Sequence, residues 1–192
     1  MEAINKIYFN KTIKFILISL VGSALLTISA KFKIPFYPVP MTMQTFVVLF
    51  LGIAFGYKIG LATVSLYLLE GIFGLPVFAN SPEKGIGLIY FTGPTMGYLI
   101  GFMFAVYFAG VSKNLDYKSK NLFINFVNIF FRLVFSVSWI YILGLLWLGN
   151  LIGWDKPIFK LGAEPFLLAE LFKIILLTLL YPLIKKLKNL SR

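Results

Sequence analysis

Six long apolar runs fenced by lysines leave this sequence little polar surface, and that shortage decides what it can fold into. Charged residues fill 13% of its 192 positions and apolar residues 59%. A soluble domain carries about 25% charged residues to keep its exterior wet. With so few, the chain cannot cover a globule in water, so most of its exterior faces hydrocarbon. A bilayer core roughly 30 Å thick takes about 20 mostly apolar helical residues. Runs of that kind lie at about 15–30, 41–55, 59–78, 91–110, 122–148 and 165–184. The expected fold is an all-α membrane protein: a bundle of six transmembrane helices forming a single integral-membrane domain over residues 1–192. No low-complexity tract, Ser/Gly linker or long polar insert marks a second domain.

The lysines orient the bundle. Six spans put both termini on one side. Lys and Arg in the N-terminus, at Lys58, after span four and in the C-terminus number 11. The other three loops hold 5: Lys31, Lys33, Lys84, Lys156 and Lys160. Cytoplasmic segments carry the excess of positive residues, so both termini are expected in the cytoplasm and the protein in the inner membrane. The same placement accounts for the net charge of +11 without nucleic acid, because no separate basic face remains to follow a duplex. The first run follows basic residues, as a signal peptide would. It ends in Lys31-Phe32-Lys33 rather than a small-residue cleavage site, and reads as a retained span. Ser112 to Asn121 is expected to return the chain to water between spans four and five.

The chemistry available is narrow. Cysteine and histidine are absent, which removes thiolate nucleophiles, imidazole bases, disulfides and the usual zinc ligands. No glycine-rich phosphate loop of the P-loop type is present, so this chain cannot itself hydrolyse ATP to drive a process. Charges inside a membrane are costly and mark function by default; here they are Glu70, Arg132, Glu170 and Lys173. Glu170 and Lys173 are three apart and share one face of the last span. At 1.5 Å per residue they lie roughly 8 and 12 Å in from its start at Pro165. Either they neutralise each other and lock the bundle, or they floor a pocket reached from outside. In a pocket they offer a polar ligand a carboxylate acceptor and an ammonium donor.

Glu70 has two readings of equal weight, a ligand residue or a bundle-facing group bonded to a neighbouring hydroxyl or backbone. Arg132 can pair with Glu70, line a cavity or snorkel inward. The segment Leu75-Pro76-Val77-Phe78-Ala79-Asn80 breaks a helix near the membrane surface, where irregular backbone is tolerated if it lines a cavity. Asn80 would bring amide donors and an acceptor there, or serve only as a cap. Ser19, Ser23 and Thr27 form a row of small residues at four-residue spacing, which lets another helix approach closely. Packing within the bundle explains that row as readily as a partner does. Three prolines in Ile34 to Pro40 make a stiff loop between the first two spans.

Four segments resemble one family. Val39-Pro40-Met41-Thr42-Met43-Gln44-Thr45-Phe46 is similar to the "VPiTlQtf" opening of the BioY family, the substrate-binding S components of energy-coupling-factor (ECF) biotin transporters. Tyr67 through Ala79 resembles "YlllGaiGLPVFa", Gly93 to Phe102 resembles "GPTgGYLlGF", and Pro165 to Lys173 resembles "PFlpgDllK". The resemblance implies six helices, an outward-opening pocket for biotin as transported ligand, no cofactor, and partnership with a transmembrane coupling subunit and two ATPases. It implies ligand roles for Asn80, Glu170 and Lys173, and a coupling-subunit contact at Ser19 and Ser23. The family's acid in the last span is typically Asp; Glu170 is one methylene longer. No arginine between spans three and four is placed to meet the ligand carboxylate, and Lys84 is the substitute. An S component for riboflavin or thiamin, a membrane-embedded enzyme and a subunit that binds nothing are the rival readings.

Overall fold

The structure, a computed structural model, describes residues 2–111 and 122–187. The expected polar loop Ser112–Asn121 lies outside the described residues. Among these residues are seven α-helices: α1 (Glu2–Lys31), α2 (Gln44–Phe55), α3 (Tyr57–Ile72), α4 (Met96–Val111), α5 (Leu122–Ile152), α6 (Ile158–Gly162) and α7 (Leu167–Leu187). A two-stranded antiparallel ribbon, β1 (Lys33–Ile34) with β2 (Met41–Thr42), joins α1 to α2. Two 3-10 turns, Gly87–Thr92 and Glu164–Phe166, precede α4 and α7. The all-α character holds, but the expected six helices become seven because the loop after α5 folds its own five-residue helix, α6.

Every expected span contains a helix, and the boundaries shift in a consistent way. Lys11–Lys31, Leu122–Ile152 and Ile158–Ile184 are long and apolar enough to cross a membrane. The helices α2 and α4 are apolar but shorter, at 12 and 16 residues. What they lose is at the end of the bundle away from the termini. Residues 41–43 are strand and turn, α3 stops at Ile72 rather than Phe78, and residues 91–95 are 3-10 and turn before α4 starts. At α3 the cause is local: Gly74 takes a left-handed φ of 91°, and Leu75 precedes Pro76, which disfavours the helical region. At the opposite end Gly56 alone, with φ 83°, separates α2 from α3.

The bundle is apolar on both sides, as lipid requires. On α5 the buried residues Asn125, Ile129, Leu133, Ser136, Ile140, Gly144 and Leu148 recur every three or four positions, while Phe123, Phe131 and Phe135 stay exposed. The tightest contact is α4 against α5. A Cβ at Gly101 would sit 2.5 Å from the Ile140 Cα, and one at Gly97 only 2.3 Å from the Leu143 carbonyl. These glycines of the Gly93–Phe102 segment let two backbones touch. On α1, Ser19 and Ser23 are 5% and 1% exposed and turn into the bundle, where a Cβ on Gly22 would strike Thr63 of α3. Ser19 and Ser23 of the small-residue row therefore pack inside this chain.

Candidate functional site

The irregular ends of α2, α3, α4 and α7 enclose a cavity of about 560 Å³, counting its mouth. Val39 to Thr42 form one wall with Gln44 and Thr45 at the start of α2. Ala79, Tyr90 and Thr95 come from the α3–α4 connection, Tyr98 and Phe102 from α4, Tyr141 from α5, and Phe166 and Glu170 from the head of α7. Each of the four segments singled out in the sequence supplies lining residues. Most of the wall is aromatic or aliphatic, with few polar groups.

The charged group on the wall is Glu170, 5% exposed. Its Oε1 accepts hydrogen bonds from the Thr45 hydroxyl at 2.8 Å and the Lys173 ammonium at 2.8 Å. Lys173 also donates to the Thr42 carbonyl at 2.7 Å and to the Thr45 hydroxyl at 3.0 Å. An ammonium has three donors, and all three are used within the protein. This changes the expected role of Lys173: it fixes Glu170 and the Thr42–Thr45 turn and has no donor left for a ligand. Glu170 differs. Its Oε2 is buried and makes no hydrogen bond of good geometry, although the Tyr141 hydroxyl lies close enough to Glu170 to interact with it. A buried carboxylate oxygen left unbonded on a residue that lines a cavity can take an N–H or O–H from a ligand or from Tyr141.

A second polar chain backs the wall. The Thr42 hydroxyl donates to Gln44 Oε1 at 3.2 Å, Gln44 Nε2 donates to the Tyr67 hydroxyl at 2.7 Å, and Tyr67 donates to the Val77 carbonyl at 3.2 Å. Tyr90 accepts from the Asn80 backbone N–H at 3.3 Å, and burial pushes its hydroxyl pKa up, keeping it neutral. Phe78 stacks on Tyr90 at 4.6 Å and meets Tyr67 edge-on. The Asn80 side chain is beside this cavity rather than in it. With Lys84 it lines a shallow pocket that shares Tyr90 and Thr95 with the main cavity. Lys84 lies 5.8 Å from the Tyr37 ring centre.

Glu70 is not brought to the cavity. It bonds the Ser23 hydroxyl across the α1–α3 contact, the bundle-facing arrangement of its two expected readings. Arg132 lies over the Tyr181 ring at 5.6 Å, joining α5 to α7. Sequence reasoning missed Gln44, Thr45, Tyr90, Tyr98 and Tyr141. The first two stand in the Val39–Phe46 segment and Tyr98 in Gly93–Phe102, so the signal for them was present. Tyr90 and Tyr141 stand outside all four segments, among many aromatics.

Comparison with known proteins agrees with this geometry. The BioY family model matches residues 4–189. The biotin transporter BioY of Thermotoga maritima is 34% identical over 86% of this chain and 92% of its own length. The probable biotin transporter BioY of Pyrococcus horikoshii is 31% identical over 78% and 83%. The crystal structure of the S-component for biotin from an ECF-type ABC transporter superposes with a TM-score of 0.70 over 92% of this chain and 93% of that one. Its identity of 24% makes it a likeness of fold. From the span of the family match and the two relatives, the chain belongs to the BioY family.

Proposed function

We propose that this chain is the biotin-binding S component of an ECF transporter, taking biotin from the outer side of the inner membrane. The observation that carries the reading is Glu170 Oε2, a buried acceptor without a donor on the wall of an aromatic cavity built from the four family segments. A ureido ring presents N–H donors to such an oxygen, and its apolar bicycle suits walls made of Tyr98, Phe102, Tyr141 and Phe166. The valerate chain points to the shallow pocket of Asn80 and Lys84, where the ammonium meets the carboxylate. That gives Asn80 and Lys84 a place at the mouth and Glu170 the floor, with Lys173 behind it. The name biotin transporter carried by the relatives supports the same ligand.

Six crossings, by α1 to α5 and α7, follow from the charge bias, with both termini cytoplasmic and the cavity outward. Coupling to a transmembrane subunit and two ATPases is supported by the fold likeness and by the lack of a P-loop in this sequence. The contact on α1 then falls on its outward stripe, Leu17, Val21, Ala24 and Ile28, rather than on the buried serines. Isothermal titration of the detergent-purified protein with biotin tests the reading. Saturable binding that outcompetes riboflavin and thiamin is expected, and failure to bind biotin removes it. Uptake assays with and without the coupling subunit and ATPases then test the transport partners.

A further inference from the structure

We infer that Lys31 and Lys33 are positioning residues of the ligand site, acting through the backbone of the Val77–Ser81 turn. The inference rests on the biotin-binding reading and deepens it. Residues 73–86 leave the helical pattern, so their carbonyls need donors from elsewhere. The turn that lines the cavity through Ala79 keeps a few bonds of its own, Ser81 N–H and Oγ to the Phe78 carbonyl and Lys84 N–H to the Asn80 carbonyl, and takes the rest from side chains of other elements. Lys31, the last residue of α1, donates to the Phe78 carbonyl at 2.8 Å and to the Ser81 carbonyl at 2.9 Å. Lys33, the first residue of β1, donates to the Ala79 carbonyl at 2.7 Å and reaches Asn80 Oδ1 at 3.4 Å. Tyr67 takes the Val77 carbonyl, and Tyr90 receives the Asn80 N–H. Two ammonium groups therefore clamp the carbonyls of Phe78, Ala79 and Ser81 and the side-chain oxygen of Asn80, and they do so from the point where α1 becomes the ribbon.

That geometry assigns the two lysines a task different from the usual one. Elsewhere a pair of lysines at the end of a span anchors it at the interface or biases its orientation. Here the charge is aimed at backbone dipoles of the segment that carries Ala79 and Asn80. Neither lysine lines the cavity itself, so they act on the ligand only through the turn. Charged donors to carbonyls are among the stronger hydrogen bonds. Among the described residues, Lys31 and Lys33 supply the hydrogen bonds between the end of α1, with the start of the ribbon, and this turn.

Lys31→Met is expected to weaken biotin binding roughly tenfold and Lys33→Met by roughly half that factor, with Lys31→Arg restoring most of the loss. Two controls separate positioning from simple attraction of an anion. Biotinamide, which has no carboxylate, must lose affinity by the same factor as biotin. Lys156→Met, which removes an outer-side charge bonded only to Asp155, must leave both ligands unaffected. Hydrogen exchange reads the turn without any ligand. The amides of Asn80, Ser81 and Lys84, bonded to Tyr90, Phe78 and Asn80, should exchange faster in Lys31→Met while α4 and α5 are unchanged. Wild-type affinity in both methionine variants would overturn the inference, as would a loss confined to biotin over its amide, or unaltered exchange in the turn. A wild-type protein that binds no biotin would instead remove the functional reading, and the exchange result would still decide whether the lysines hold the turn.

Discussion

Two carboxylates lie within the spans of this chain, and they are bonded in contrasting ways. Glu170 on α7 is paired with a buried ammonium and a hydroxyl through one oxygen, while its other oxygen is on a cavity wall. Glu70 on α3 is bonded to one hydroxyl on α1, in a helix contact, and does not line that cavity. In sequence both are the same event, an acid in an apolar run. Only the surroundings distinguish them: Glu170 has a cation held three residues along its own helix and a turn of irregular backbone opposite, whereas Glu70 faces a regular helix of small residues. The contrast shows that the cost of an intramembrane charge can be met by local bonding alone. Function follows when the bonding is left incomplete toward a space a ligand can enter.

The largest effect that would test this contrast is at Glu170. Glu170→Ala removes the acceptor offered to the ureido ring and should weaken biotin binding about 100-fold or more, consistent with the 2–5 kcal/mol cost of truncating one partner of a buried charged hydrogen bond. It also leaves Lys173 buried without its carboxylate. Titration of the purified variant checks the affinity, and binding within a few-fold of wild type would erase the distinction between the two acids. Next is Lys173→Met, which strands the carboxylate. Breaking a buried pair from one side costs about 3–5 kcal/mol, so the melting temperature in detergent should fall well below wild type. The double variant Glu170→Leu with Lys173→Met should recover most of that stability, because no charge is left unpaired, and still bind no biotin. Recovery of stability without binding separates the structural share of the pair from its ligand share.

A smaller effect tests the wall rather than the floor. A Cβ on Gly71 would lie 2.0 Å from the Phe78 ring, which is enclosed by Tyr67, Tyr90 and Phe91. Gly71→Ala should push Phe78 out of this stack, lower the melting temperature by an amount matching roughly 1–3 kcal/mol of overpacking, and weaken biotin binding through the displaced turn. Thermal unfolding with and without biotin checks both, and a variant that melts and binds as wild type would show the turn to be free of Phe78.

How much of this was legible beforehand follows the same division. Apolar period and lysine placement located a helix in every expected span, because lipid imposes its demand on each run separately. The helix ends were misplaced at one end of the bundle, since residues 73–78 and 91–95 are apolar enough to continue a span and leave it only to enclose the cavity. That Glu170 would line a cavity was legible, from a charge inside an apolar span and from its place in the Pro165–Lys173 segment. The saturation of Lys173 was not, because its partners Thr42 and Thr45 lie some 130 positions away in the chain. The inward turn of Ser19 and Ser23 depended on which face of α1 meets α3, and a row of small residues is compatible with either.

The smallest expected effect is the one that completes the contrast. Glu70→Gln keeps the size and an oxygen able to accept from the Ser23 hydroxyl, and it removes the charge. If Glu70 serves only the α1–α3 contact, biotin affinity should be unchanged within about twofold. Stability should change by no more than about 1 kcal/mol, the ordinary worth of one hydrogen bond. Ser23→Ala removes the other side of the same bond and should give a change of similar size, while the two changes together should add to less than their sum because they delete one interaction. Titration and thermal unfolding of the three variants read this directly. A tenfold loss of biotin affinity in Glu70→Gln would mean that the second acid reaches the site through α1, and the two carboxylates would have to be treated as one system.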